Sequence, residues 1–415
     1  MLREILANTL ISPETVARLL GINTEIFLEW VANQRPIPNS VLEMLSGVIG
    51  VDLAPYLERK VPVQEAAAIT PAIWYRFRQS SLTPEDREFV FLVRRLGSHI
   101  NELEEATGAK AVGWKTLFQE IRQKVDTQAP PRVQGIEAAN MFRESRDLSR
   151  GSTGIGEVLR GNLRSMGVLV VEGSLPKSRL EGCCFYVGNR PHERPCVFAN
   201  SYQSTWFRRN LIILHEVAHA IFDAESAGAA LDFYDGDTDK LAEERADAFA
   251  QQVLVPRTVL HHITQRSGIK WEALSPNNLA KLVAETHAEK RTILRSAFES
   301  GLISQSLLDQ YLDFDIAAIL PGISYHALST DEYIKVCGVN SDDWKGKRNT
   351  TIPSRTIRLP PAYIKGVIEA VKNGSISRGK AAAMLMIDER DFEERFGGGQ
   401  EEDDVDDMQA PLALA

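Results

Sequence analysis

Leu211–Asp223, LIILHEVAHAIFD, constrains this chain more than any other stretch. An apolar run with helical character carries His215 and His219 four residues apart, with Glu216 directly after the first histidine. Residues four apart lie on one face of an α-helix, so the two imidazoles can grip one metal ion while Glu216 reaches a water bound to it. The plainer alternative, a helix with two satisfied histidines and a surface glutamate, makes no demand on the surrounding sequence.

The surrounding sequence does meet a demand. The pattern H-E-x-x-H is the signature of zinc metallopeptidases, and a hydrolytic zinc site needs a third protein ligand and an open fourth position for water. Downstream, LAEERADAFAQQVLVP (Leu241–Pro256) has Ala242, Ala246, Phe249, Ala250, Val253 and Leu254 at helical spacing and ends at Pro256. Glu243 and Asp247 lie four apart on this second helix. Glu243 can be the third ligand, and Asp247 can accept the outer N–H of a ligating histidine and fix its tautomer. Two other carboxylates compete. Glu225 stands where the longer pattern H-E-x-x-H-x-x-G-x-x-H has its third histidine, but that pattern turns at a glycine and here the position is Phe222. Glu244 points about 100° away from Glu243 on a helix.

HEVAHAIFD followed by E-x-x-A-D-x-F-A-x-x-V-L-V-P resembles the ImmA/IrrE family of bacterial and phage metallopeptidases, over about residues 135–260. FANSYQSTWFRRNLIILHE resembles the strand and polar turn that lead into that family's active-site helix. The resemblance implies a gluzincin-like site in which His215, His219 and Glu243 hold Zn2+ and Glu216 is the general base. It also implies a regulatory peptidase that cuts a transcriptional repressor or similar protein, encoded nearby, in response to stress or phage-related signals.

The length of 415 residues is enough for two to three domains, and 44% hydrophobic with 25% charged residues is ordinary for a soluble globular protein. A net charge of −9 gives no global attraction to nucleic acid or anionic membrane. Cys183, Cys184, Cys196 and Cys337 lack C-x-x-C spacing and read as buried small apolar residues, Cys183 and Cys184 on opposite faces of a strand. The N-terminal segment has no secretory pattern and no apolar run spans a membrane, so a cytoplasmic location is expected.

Along the chain, residues 1–60 resemble an XRE-type helix-turn-helix domain. Ser12-Pro13 start one helix, Gly21 ends it, a second runs from about Thr24 to Ala32, and Val41–Ile49 follow the RPIP loop. Against DNA binding, the second helix carries Glu25, Phe27, Glu29 and Trp30, with no Lys or Arg before Arg35, and carboxylates repel phosphates. A protein-binding or dimerising module is the expectation. Residues 61–130 read as a helical connecting region, with a helix capped by Thr83-Pro84. There Trp74 and Trp114 are expected in the core and Arg94-Arg95 on a solvated face. DTQAPPRVQG (Asp126–Gly135) reads as a linker before a catalytic domain at 135–265. Two amphipathic helices lead that domain, followed by three short strands, GVLVVEG, GCCFYVG and PCVFANS, that form a small sheet beside the active-site helix. The expected fold class is therefore α+β and mostly helical. If a strand edge lies open above the metal, an extended peptide can add to it.

Residues 266–350 read as a helical extension. His261, His262, His287, His326, Tyr202 and Tyr234 are available as oxyanion donors, and none is assigned. Residues 355–396 resemble a small helix-turn-helix module, with a turn at Asp388. Its approach is basic through Arg355, Arg358, Lys365, Lys372, Arg378 and Lys380, and its second helix is acidic. Residues 397–415 read as a disordered acidic tail. Two competing readings stand beside the peptidase: a DNA-binding regulator or antitoxin-like protein whose zinc domain is a sensor or scaffold, and autoproteolysis near Pro130-Pro131.

Overall fold

The computed structural model describes residues 2–9, 11–49, 53, 82–108, 113–145, 155–175, 177–187, 193–202, 204, 206–224, 229–233, 240–314, 356–359, 361–397 and 412–413. It begins with four short helices, α1 (Leu2–Thr9), α2 (Pro13–Leu20), α3 (Thr24–Val31) and α4 (Asn39–Ile49). Local chemistry explains their ends. Ser12 Oγ accepts from Thr15 N–H at the start of α2, and Gly21 stops it with φ 67°. The long helix α5 (Pro84–Thr107) opens with a capping box in which Thr83 and Asp86 satisfy each other's backbone. Then come α6 (Trp114–Lys124), α7 (Pro131–Ser145), α8 (Leu159–Ser165), β1 (Leu169–Ser174), β2 (Leu180–Val187), β3 (Arg194–Asn200), α9 (Trp206–Phe222), β4 (Ala229–Phe233) and α10 (Lys240–Leu254). The rest comprises α11 (Arg257–Ser267), α12 (Pro276–Thr286), α13 (Lys290–Glu299), α14 (Gln305–Leu312), β5 (Thr356–Arg358), α15 (Pro361–Lys372), α16 (Arg378–Leu385), α17 (Glu389–Phe396) and β6 (Leu412–Ala413). The structure is mostly helical with one small sheet, as the α+β expectation has it. Among the described residues no helix is long and apolar enough to cross a membrane.

The sheet has the order β4-β2-β3-β1-β5-β6. Its centre is the three strands expected from the sequence. β1 lies parallel to β3, with Val171 opposite Phe198, and β2 is antiparallel to β3, with Cys184 opposite Val197. β4 extends it beyond β2 and β5 beyond β1. Leu412 and Ala413, in the acidic tail read as unfolded, pair with Ile357 and Thr356.

Side chains alternate across a strand, so this sheet divides two cores. Cys184, Tyr186, Val197 and Ala199 face a core built with Phe118, Phe142, Ile213, Val217 and Phe249, from helices α6, α7, α9 and α10. Cys183, Phe185, Val187, Cys196 and Phe198 face the other, built with α5, the N-terminal helices and α15–α17. Phe89 of α5 meets Phe198 with ring centroids 4.2 Å apart, and both are fully buried. Each such ring contributes about 1.5–3 kcal/mol of burial, so α5 is held on the sheet by side chains as large as those that hold α9 on its opposite face. The N- and C-terminal modules therefore join in one hydrophobic unit behind the sheet.

That arrangement corrects the expectation for Arg94-Arg95. Both are buried: Arg94 donates to the Tyr186 carbonyl (3.1 Å) and Arg95 to the Leu19 carbonyl. The sequence places them on α5 but cannot show that sheet and helices cover the helix on every side, and backbone carbonyls at those contacts accept the guanidinium protons. Trp114 is half-buried and packs against the edge of the core, on Phe118 and Tyr186; Trp74 lies outside the described residues. The linker also shortens, because Pro131 starts α7 and only the stretch before it forms a turn.

Candidate metal centre

Helix α9 is fixed at its C-terminal end by side chains from other elements. There Tyr186 Oη donates to Ala220 O (2.9 Å) and Arg122 donates to Ile221 O (3.1 Å), occupying carbonyls the helix leaves without internal partners. Its apolar positions Ile213, Leu214, Val217 and Ile221 are fully buried. His215, Glu216 and His219 are buried with them, as the i, i+4 spacing requires of a helix whose site is roofed by a second helix. Helix α10 supplies that roof, with Glu243 in its first turn.

Three ligand side chains converge here, Glu243 with both of its oxygens. His215 Nε2 lies 3.0 Å from His219 Nε2 and 3.0 Å from Glu243 Oε2, and His219 Nε2 lies 3.4 Å from Glu243 Oε1. Among the described residues, His215, His219 and Glu243 form the group of side chains that could hold a metal ion. Metal–ligand bonds of about 2.0–2.1 Å in a tetrahedron give ligand–ligand separations of about 3.3 Å. The three observed separations bracket that value. The outer nitrogens give the same answer: His215 Nδ1–H donates to Asp247 Oδ1 (3.0 Å) and His219 Nδ1–H to Asp223 Oδ2 (2.8 Å). With each Nδ1 turned to its own carboxylate, both Nε2 atoms point at each other and at Glu243. A metal ion that takes the place of any Nε2 proton would meet two imidazole nitrogens and a carboxylate at once, so these residues fit a metal.

Electrostatics point the same way. Burial pushes Glu243 up, but its hydrogen bonds to His215 and His219 outweigh that and hold it well below the usual carboxylate range. Burial lowers His219, yet Asp223 and Glu243 raise it to about 9 on balance.

Glu216 sits beside the two histidines and against β2. A Cβ built on Gly182 would lie 2.4 Å from Glu216 Oε1, so only glycine leaves room for this carboxylate at the strand. Asp247 occupies an exposed position of α10, four residues after Glu243. Asp223 was missed, although its place four residues after His219 is the same helical spacing that identified the ligands. It in turn accepts from Arg245 Nη2 (2.5 Å).

Of the competitors, Glu244 is exposed on α10 and Glu225 lies outside the described residues, as do Tyr234, His326 and Cys337. His261 and His262 are exposed, while His287 is buried against Phe207 and caps α12 with φ 52°. Cys183, Cys184 and Cys196 are buried and reduced, Cys183 and Cys184 on opposite faces of the sheet.

The sequence comparison agrees with this geometry. Residues 163–286 match the family model Peptidase_M78, IrrE N-terminal-like domain. The match runs from α8 to α12 and contains β1–β4, α9 and α10, hence every residue of the metal centre. It begins later and ends later than the 135–260 segment expected from the resemblance, and it leaves out α7. This domain suggests a metal-dependent peptidase of the ImmA/IrrE type. None of the curated proteins matches the chain.

Proposed function

We propose that the protein is a zinc-dependent metallo-endopeptidase of regulatory type, acting in the cytoplasm on a protein partner, most simply a transcriptional repressor or similar regulator encoded nearby. The observation that carries this reading is the set of three ligand side chains with contacts of 3.0–3.4 Å between them and Glu216 adjacent, inside a domain that matches a peptidase family. Two imidazoles and one carboxylate suit Zn2+, which when bound supplies Lewis-acid polarisation and a water acidified to a pKa of ~7.

The chain's own residues do the rest. Glu216 accepts the proton of the attacking water and delivers it to the nitrogen of the leaving amine, so that one carboxylate serves both halves of the hydrolysis. Its fully buried position excludes bulk water that would otherwise compete for that proton. Asp223 and Asp247 keep the imidazoles of His219 and His215 in the Nδ1–H tautomer.

The flanking helices fit partner recognition better than DNA reading. We read α1–α4 as an XRE-like helix-turn-helix module, in which α3 exposes Glu25 and Leu28 and pairs Glu29 with Arg35 (3.6 Å). Such a face repels phosphates and suits a protein. Salt-dependent binding of the chain to its own promoter would favour the alternative, a DNA-binding or antitoxin-like regulator with a zinc scaffold.

The deciding experiment is elemental analysis of wild type and Glu243→Ala, followed by capture of partners with Glu216→Gln. About one zinc per chain in the wild type and a large loss in Glu243→Ala are expected. A folded wild type that takes up no zinc after supplementation overturns the reading.

A further inference from the structure

We propose that Arg245 is a positioning residue for His219, acting through Asp223, and that Gln134 of α7 completes this support from outside the matched domain. The inference rests on the metal-centre reading above. Asp223 uses its two oxygens separately: Oδ2 accepts from His219 Nδ1 (2.8 Å) and Oδ1 accepts from Arg245 Nη2 (2.5 Å). The guanidinium therefore does not compete with the imidazole for a lone pair. It fixes the second oxygen, and with it the plane of the carboxylate. Asp223 keeps 23% of its side-chain surface exposed, so without Arg245 water competes for Oδ1 and the guanidinium's hold on the carboxylate plane is lost.

Arg245 is itself held on several sides. Its guanidinium lies 4.6 Å from the centroid of the Phe222 ring, one residue before Asp223. Its Nη1 donates to Gln134 Oε1 (3.3 Å), and Gln134 Nε2 donates to Ala129 O (2.7 Å) and Thr127 O (3.3 Å). A hydrogen-bonded chain thus runs from the turn before α7 to the ring of His219. The backbone holds its middle in place. A Cβ on Gly135 would meet Arg245 O at 2.2 Å and Ala248 Cβ at 3.0 Å, so α7 and α10 approach to a distance that only glycine permits, directly beside the Gln134–Arg245 contact. A lysine at 245 brings one point charge and cannot serve Asp223 and Gln134 from a plane stacked on Phe222.

The test is a double-mutant cycle on the full chain, read as Co2+ affinity by visible absorption in competition with a chelator. Wild type, Arg245→Leu, Asp223→Ala and the double variant are titrated, with thermal unfolding of each metal-free protein as the control for folding. Arg245→Leu should weaken Co2+ binding about tenfold, the low end for outer partners of metal ligands, and should weaken it no further once Asp223 is alanine. Wild-type affinity in folded Arg245→Leu overturns the proposal. So does a full tenfold loss that persists in the Asp223→Ala background, because Arg245 would then act by another route. If Arg245→Leu does not fold, Arg245→Lys carries the same cycle, with a smaller loss expected and the same two refuting outcomes. A wild type that binds neither Co2+ nor Zn2+ refutes the metal reading itself, a result no Arg245 variant can mimic.

Discussion

Gly182→Ala should disable the general base while leaving the metal ligands in place. The added methyl carbon would lie 2.4 Å from Glu216 Oε1 and 2.8 Å from Ile212 Cγ2. Ordinary contact needs about 3.4–4.0 Å, so one partner must move by about 1 Å. β2 cannot retreat, because Gly182 is paired with Ala199 on one side and Asp232 on the other. Ile212 is buried in the core on the same helix. The carboxylate is the free end of a flexible side chain and yields first. Overpacking of this kind costs about 1–3 kcal/mol of stability, whereas a catalytic group misplaced by about 1 Å costs about 10² in rate. The assay is cleavage of a quenched fluorescent peptide mixture, with zinc content and Tm measured on the same preparation. Zinc should be unchanged, Tm slightly lower, and the rate down about a hundredfold, close to that of Glu216→Gln. A folded, zinc-loaded Gly182→Ala protein as fast as wild type would refute the packing argument.

Glu216→Gln should keep its zinc and lose about 10²–10⁴ in rate in the same assay. Asp247→Asn should weaken metal binding about 10–100-fold, measured by chelator competition, because the His215 tautomer loses its acceptor of charge. His99 couples stability to pH: burial, with Arg95 and Lys380 nearby, outweighs its bond to the Met384 carbonyl and lowers it to about 3. Its folded pKa lies below the unfolded value of 6.5, so the unfolded chain binds the extra proton between them and stability falls as pH drops from 6.5 towards 3. Denaturant titrations of wild type should lose stability as pH falls through that window, and His99→Gln should lose less over the same range. Phe198→Ala should cost about 3–5 kcal/mol in urea unfolding, since the sheet and α5 both close on that ring.

Much of the site was legible because helical spacing is local information. His215 and His219 fall on one face from their positions alone, and the second helix, its proline stop and its acidic pair follow from the same period. The three central strands and the α2 and α5 caps were readable for that reason as well. Asp223 was legible too, one turn beyond His219, but it stood in the shadow of the H-E-x-x-H pattern. Arg94 and Arg95 were misread because burial depends on what lies across from a residue. Nothing in LVRRLG tells that the sheet and the N-terminal helices cover both guanidinium groups.

The sequence by itself determined which side chains can bind a metal, because ligand type and helical period are written in successive residues. It could not determine which carboxylate arrives, how the remote helices stand, or what holds the ligands still. Those depend on contacts between residues far apart in the chain, such as Gln134 with Arg245, Gly182 with Glu216, and Phe89 with Phe198. Only packing decides such pairs, since close approach of two backbones and burial of a polar group are properties of the folded interior and of no single segment.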